Sequence, residues 1–481
     1  MQFDNVRLAS VTVDNLKNVV HGELTLNGSD DCMQASILGL FGQNGSGKTA
    51  LIRALAILKS LLTRMPLEPG LAESIQVDAE SARLLFEFHL FEKKSGHVAA
   101  DVWYEVVLEK QSNGQSGQLL LLLAPSVPDQ SPKAVIRSER MWVSGLTSAG
   151  SRKTLWLDTD STEWPFQPQV KYRHLIGTAS AEKNALAVAK ALAKERGLSF
   201  IFSGELSNVL LKKATDENVD ARELTAVVQR LMRFGYSEFF VIAAAESALV
   251  NLNALPLQMK AEAVDGHPGL AGGVLLPLNG IGVLPSTLVP TVKAGLTQLN
   301  VVLEQLVPGL TIEMAEISRE FGASGEAITK FQLMSHKNRR AIPLQYESDG
   351  IKKIIAVLHL IICVYNERTV TVAIDELDSG IFEYLLGELL KILAQGGRGQ
   401  LIFTSHNLRA LETLDKRFVA FTTVNPENRY VRIKNIKGTN NLRDVYYRNL
   451  ILGGDDVNRL YNPTNNGRIA LAMREAGQRH G

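Results

Sequence analysis

Apolar and polar positions alternate with different periods along the chain, and the changes of period divide it. Residues 6 to 28 predict two strands joined by a turn near Asn15 to Asn18, and Ile37-Leu38-Gly39-Leu40-Phe41 predicts a buried strand. Behind that strand Leu51, Ile52, Leu55 and Leu58 recur at helical spacing. After Pro66 to Gly70 the period drops to two: apolar residues hold one face of Phe86-Glu87-Phe88-His89-Leu90, and Val102, Tyr104, Val106 and Leu108 repeat the pattern. These predict half-buried antiparallel strands. From Ser180, read as a helix N-cap, to about Leu252 the pattern is helical, with breaks at Gly197 and Gly235. Residues 266 to 290, rich in glycine and proline, predict a loop, and no sustained heptad predicts long coiled-coil arms. From Val292 onward a helix, two strands, a helix and a parallel-type strand are expected.

Chemistry enters at the junctions of these elements. Gly42-Gln43-Asn44-Gly45-Ser46-Gly47-Lys48-Thr49-Ala50 lies between the strand ending at Phe41 and the helix that follows, and matches a phosphate-binding loop. Its glycines let consecutive N–H groups approach a β-phosphate at the positive end of the helix. Lys48 is expected to reach the β and γ oxygens, and the Thr49 hydroxyl to hold Mg²⁺. A nucleoside triphosphate, ATP with Mg²⁺, is the expected ligand.

Thr369-Val370-Thr371-Val372-Ala373-Ile374 is a β-branched run ending in Asp375-Glu376, as suits a central strand of a parallel sheet with ligands at its carboxyl end. Taken alone, a charged strand end facing solvent is the plainer account. Coupled to the phosphate loop, Asp375 is expected to accept from a Mg²⁺-bound water, with Glu376 as the base for the attacking water. A second apolar strand, Leu401 to Thr404, ends in Ser405-His406, and His406 becomes a candidate γ-phosphate sensor, although a histidine after a buried strand is commonly structural.

Composition sets the bounds. The 481 residues are 45% hydrophobic and 21% charged, enough for a large core in two or three units, and the net charge of +1 gives no global attraction to nucleic acid or acidic membranes. Two cysteines, Cys32 and Cys363, suggest unpaired thiols in a reducing compartment. The longest apolar stretch, Ile354 to Tyr365, is too short for a bilayer, and the N-terminus has no signal-peptide core, so a cytoplasmic protein with no membrane partner is expected.

Tyr346-Glu347-Ser348-Asp349-Gly350-Ile351-Lys352-Lys353 precedes the apolar helix from Ile354 to Cys363, where Ser348 and Gly350 can be an ordinary cap. Here the chain resembles the ABC-type ATPase heads of the RecF, SMC and OLD class, whose Ser-x-Gly signature enters a long helix. The resemblance covers roughly residues 1 to 110 and 300 to 425. It implies an α/β P-loop NTPase fold with a mixed sheet, an antiparallel β-subdomain and a helical insertion. The organisation expected is an N-terminal part of the head at 1–180, a mainly helical insertion at 181–300 and a C-terminal part at 301–481. It further implies that Ser348 and Gly350 of one subunit close on the γ-phosphate held by another, that Asp378-Ser379-Gly380 is a D-loop at the same interface, and that ATP sandwiched between heads makes a homodimer or higher homo-oligomer. Asp349 departs from the glycine common in transporter signatures, and no glutamine is assigned as a Q-loop.

The combination of residues 346–353, 374–382 and 404–409 with the tail further resembles the AriA-type ATPase subunits of PARIS anti-phage systems. That resemblance implies a TOPRIM-type nuclease effector as partner and a phage protein as trigger. The tail leaves an alternative open, a RecF-like DNA-binding ATPase. Arg429, Arg432, Lys434, Lys437, Arg443 and Arg448 outnumber Glu427 and Asp444, with Tyr430, Tyr446 and Tyr447 interleaved, and Lys337 to Arg340 add a second basic cluster at a hairpin turn. A solvated strand face, a protein partner and DNA all fit this pattern. A module that binds nucleotide without hydrolysing it is a third reading, against which the Asp375-Glu376 pair speaks.

Overall fold

A computed structural model describes residues 3–26, 35–92, 97–111, 133–146, 150–215, 217–243, 254–260, 271–322, 325–432, 441–452, 459–461 and 465–478. Strand β1 (Phe3–Leu16) turns through Lys17 and Asn18 into β2 (Val19–Thr25), and β3 (Ser36–Phe41) leads through the glycine loop into helix α1 (Lys48–Leu62). Strands β4 (Ser81–Glu92), β5 (Val98–Gln111), β6 (Lys133–Ser144) and β7 (Thr154–Asp158) complete an antiparallel sheet of order β2-β1-β4-β5-β6-β7. Helices α2 (Gln169–Leu175), α3 (Ser180–Arg196), α4 (Gly204–Lys213) and α5 (Val219–Arg233) follow. Next come β8 (Phe239–Ile242), β9 (Ala254–Lys260), β10 (Ala271–Pro277), β11 (Ile281–Pro285) and α6 (Val289–Leu306). The long pair β12 (Leu310–Phe321) and β13 (Ala327–Lys337), with β14 (Arg340–Pro343), precedes α7 (Asp349–Asn366). The chain then runs through β15 (Thr371–Ile374), α8 (Glu383–Gly396), β16 (Gln400–Ser405), α9 (Ala410–Thr413), β17 (Val419–Thr422) and β18 (Tyr430–Val431) to α10 (Leu442–Leu452) and α11 (Asn466–Gln478).

The central sheet has the order β18-β17-β3-β16-β15-β8, parallel except for β18. Both of its faces are buried, which is why its strands are continuously apolar. Leu38, Leu40, Ala373 and Ile402 face a core shared with α1 and the antiparallel sheet, whereas Ile37, Phe41, Val372, Ile374 and Phe403 face a core shared with α6, α7 and α8. In β4, by contrast, Phe86, Phe88 and Leu90 are buried while Leu85, Glu87 and His89 are half-exposed, as the alternation predicts. This α/β P-loop architecture, a mixed sheet with an antiparallel sheet beside it, is the layout expected of the ABC-type head. Among the described residues no helix is longer than the 18 residues of α6 and α7, and none is long and apolar enough to cross a membrane.

Two segments depart from the sequence reading. The helical pattern expected to reach Leu252 ends with α5 at Arg233 and a π-turn at Phe234–Glu238, after which β8 joins the central sheet beside β15. Gly235 therefore lies within that turn. The run Phe239-Phe240-Val241-Ile242 is too short for periodicity to separate strand from helix, and its pairing with β15 decides the matter. Lys59 of α1 fixes the entry by donating to the carbonyls of Gly235 and Phe239. The expected loop at 266–290 holds β10 and β11, separated by Gly280 at φ +81°. Among its described residues the segment 181–300 thus carries four strands beside its helices, one of them in the central sheet. Cys363 is buried with its Sγ 3.5 Å from His359 Nε2, whereas Cys32 lies outside the described residues.

One side chain joins the two large sheets. A register shift between Leu8 and Ser10 interrupts the pairing of β1 with β4, and Leu8, still opposite Phe88, also bonds a side chain of β16. Buried Gln400 donates to Leu8 O at 2.8 Å and accepts from Leu8 N at 3.2 Å. Replacing Gln400 with leucine leaves both peptide groups facing hydrocarbon, and the expected loss is about 2–4 kcal/mol of stability, read as a lower urea midpoint.

Candidate active site

Parallel register decides which residues meet. Ser405 pairs with Phe41 and Phe403 with Ile374, so the carboxyl ends of β3, β16 and β15 lie side by side on one edge of the sheet. Gly42, His406 and Asp375 leave the sheet there. The resulting cleft, of about 340 Å³, is lined by residues 44–50, Asp375, Glu376 and His406, together with Lys17 and Asn18 from the turn between β1 and β2. The structure thus brings residues 44–50 of the predicted phosphate loop into one cleft with the strand-end carboxylates and the histidine, while Gly42 and Gln43 do not line it.

The loop is built as an anion cradle. Gly47 sits at φ +95° as the N-cap of α1, no side chain caps that helix, and its first turn holds no acid. No side-chain cap competes with phosphate oxygens for the N–H groups of Lys48 and Thr49, whereas the Ala50 N–H donates to Gly47 O at 3.2 Å. Lys48 Nζ donates to the carbonyls of Gly42 and Gln43, both at 2.8 Å, and burial pulls its pKa down to about 8 against the opposing field of Asp375, Glu376 and Asp378. Ser46 Oγ donates to Gln43 O at 2.7 Å and shares a hydrogen bond with Thr422 Oγ1. Thr422 approaches so closely that a Cβ on Gly42 would lie 1.8 Å from its hydroxyl, so only glycine fits.

On the opposite wall Thr404 Oγ1 donates to Asp375 Oδ1 at 2.6 Å and accepts from Glu376 N at 2.7 Å. Asp375 is 2% exposed, yet its Oδ2 has no hydrogen-bond partner among the described residues. A buried carboxylate oxygen left open beside Thr49 fits a Mg²⁺ ion held through water, with the triphosphate supplying further ligands. Asp375 and Thr49 are the residues that would hold the ion. It would supply charge neutralisation for the β and γ oxygens.

Other candidates lie elsewhere. Ser348 caps α7 through Ile351 N at 3.4 Å, Asp349 is 98% exposed and pairs with Lys352, and neither Ser348 nor Gly350 lines the cleft of its own chain. Asp378 lines a neighbouring open hollow with Phe382, Tyr384 and His406. Its Oδ2 accepts from the backbone N–H groups of His406 and Asn407 at 3.0 and 2.9 Å, which fixes the loop after β16.

Residues the sequence reading missed, or gave to another task, brace the phosphate loop. Asn18 donates to Gly45 O, and neighbouring Lys17, held at φ +53°, has its pKa lowered chiefly by burial. Nothing in the local sequence marks that turn as part of the site. Tyr430 OH donates to Gly47 O at 2.9 Å, and Arg429 spans the carbonyls of Thr423 and Asn18. Arg432 binds three backbone carbonyls, Tyr446 stacks on Phe421 at 5.1 Å, and Arg443 pairs with Glu412. Arg429, Tyr430, Arg432 and Tyr446 are therefore internal scaffolding, which a solvated strand face or a free stacking surface would not require of them. Arg448 and Tyr447 remain exposed, and Lys434 and Lys437 lie outside the described residues.

No family profile matches the sequence, and no curated protein matches it. Solved structures overlap it in part. The Smc head domain of Pyrococcus furiosus, solved with an extended coiled coil and bound to the C-terminal domain of ScpA, is 12% identical, with 89% of this chain and 96% of that chain covered at a TM-score of 0.38. The SMC head domain from Thermotoga maritima is 13% identical, covering 89% and 100% at 0.33. The recombination mediator protein RecF with ATP is 12% identical, covering 89% and 99% at 0.36. The chemistry of the cleft rests on its own geometry.

Proposed function

We propose that this chain is an ATP-binding and ATP-hydrolysing switch of the ABC type. The observation that carries the reading is the single cleft in which an uncapped helix N-terminus and Lys48 face Asp375, with its open oxygen, and Glu376. Lys48 and the loop N–H groups bind the β and γ phosphates, Thr49 and Asp375 hold Mg²⁺, Glu376 takes the proton of the attacking water, and His406 donates to the γ-phosphate. Ser348, exposed at the tip of α7, and half-buried Gly350, both outside their own cleft, complete the site of a second copy. Two heads then enclose ATP between them, and hydrolysis releases them.

Within that class we assign the chain as the sensor and scaffold ATPase of a bacterial anti-phage system, holding a separately encoded TOPRIM-type nuclease until a phage protein releases it. The assignment is supported by the motif resemblance, and the RecF-like reading is weakened by the internal roles of Arg429, Tyr430 and Arg432. Co-expression with a neighbouring nuclease gene is expected to yield a stable complex. Salt-sensitive retention of duplex DNA by the chain alone, without such a complex, favours the clamp instead.

The ATPase reading is tested by mass in solution and phosphate release. Lys48→Ala is expected to weaken ATP binding at least about tenfold, the loss of a charge-assisted contact worth more than ~1.4 kcal/mol. Glu376→Gln should bind ATP, slow turnover by roughly 10²–10⁴-fold and accumulate as a dimer by light scattering. Full turnover in Glu376→Gln, or a monomer under saturating ATP, overturns the scheme. Ser348→Arg should bind ATP as a monomer. Affinity should also depend on pH through Lys48: its protonated form binds phosphate, so with a free-state pKa of about 8 the affinity is flat below that pH. Above it the affinity falls, by up to about tenfold per unit, until the raised pKa of the bound state is reached. Titrations from pH 7 to 9.5 check this, and Lys48→Met should remove that component.

A further inference from the structure

Glu376 stands at φ +49°, in the left-handed region that side-chain-bearing residues seldom adopt. Its peptide is clamped from two directions. On one side its N–H donates to Thr404 Oγ1 at 2.7 Å, and Thr404 belongs to a central strand that cannot shift alone. On the other side its carbonyl accepts from Lys353 Nζ at 2.5 Å and from Ser379 N at 3.0 Å.

Lys353 lies in the first turns of α7, the helix whose tip carries Ser348 and Gly350. It is 6% exposed, and its ammonium sits in the field of Asp378, Glu376 and Asp375. Burial lowers its pKa and those carboxylates raise it again. A second contact fixes the same docking by shape: a Cβ on Gly350 would lie 2.4 Å from Gly380 O, so the start of α7 rests directly on the turn that follows Glu376. An ammonium this buried carries a desolvation cost that a methionine of similar length would not. Its placement on one backbone carbonyl beside the reacting carboxylates calls for a role beyond packing.

We propose that Lys353 is a positioning residue for hydrolysis, holding the Glu376 peptide in its left-handed turn so that the carboxylate meets the attacking water, and tying that aim to the seating of α7. In the step it serves, the water oxygen bonds to the γ-phosphorus, the bond to the β,γ-bridging oxygen breaks toward ADP, and the water proton passes to Glu376. The inference rests on Glu376 as general base, proposed above.

The test uses the full chain and its Lys353→Met, Lys353→Arg and Glu376→Gln variants, measuring phosphate release against ATP concentration, affinity for a fluorescent ATP analogue, and melting temperature. Lys353→Met should lower kcat roughly 10- to 100-fold, the scale of an ångström-level misplacement. Its nucleotide affinity should stay within about twofold and its melting temperature should not fall, because uniform binding and folding are untouched. Lys353→Arg, which restores a cation on a similar stem, should recover part of kcat. A Lys353→Met enzyme with wild-type kcat, or one whose loss is matched by weaker nucleotide binding or a lower melting temperature, overturns the inference. Hydrolysis retained in Glu376→Gln overturns the reading beneath it. A silent Glu376→Gln beside a fully active Lys353→Met overturns the inference alone.

Discussion

The site exists because β3, β16 and β15 pair in parallel, in a register that ends all three strands on one rim. Their loops come from residues 42, 375 and 406, far apart along the chain, and no local interaction brings them together. What holds the register is burial on both faces. Ile37, Phe41, Val372, Ile374 and Phe403 fill one core while Leu38, Leu40, Ala373 and Ile402 fill the other, so a slip by one residue would exchange the two sets. Precision at the rim is a consequence of packing beneath it.

Around that rim the polar groups form a connected frame. Thr404 joins Asp375 to the Glu376 peptide, Thr422 joins the phosphate loop to β17, and Tyr430 holds the carbonyl of Gly47 from the far side. Among the described residues Asp375 Oδ2 has no hydrogen-bond partner and no side chain caps the start of α1, and both are places a Mg-triphosphate would engage. Burial weakens the proton affinity of Lys17 and Lys48 alike, and nearby carboxylate charge opposes it. A bound polyphosphate reverses the imbalance, which makes binding and proton uptake linked events.

Much of this was legible from residues 42–50 and 375–376. A glycine-rich loop between an apolar strand and a periodic helix predicts a phosphate cradle, and the alternation in β4 and β5 is a local property that burial obeyed. The same logic failed at Phe239–Ile242, where four apolar residues fit helix or strand equally and the pairing with β15 decided. It failed again at Arg429 and Tyr430. Composition could count those cations and rings but could not see that they fold back on the loop at Gly47, nearly four hundred residues earlier.

The sequence alone determined the phosphate loop, the carboxylate pair and the apolar strands that carry them, because each depends on neighbours within one element. Only tertiary structure decided the order of strands in the sheet, the bracing by Asn18, Thr422 and Tyr430, and the docking of Lys353 on the Glu376 carbonyl. These are contacts between segments distant along the chain, and their energies come from buried partners that no window of sequence contains.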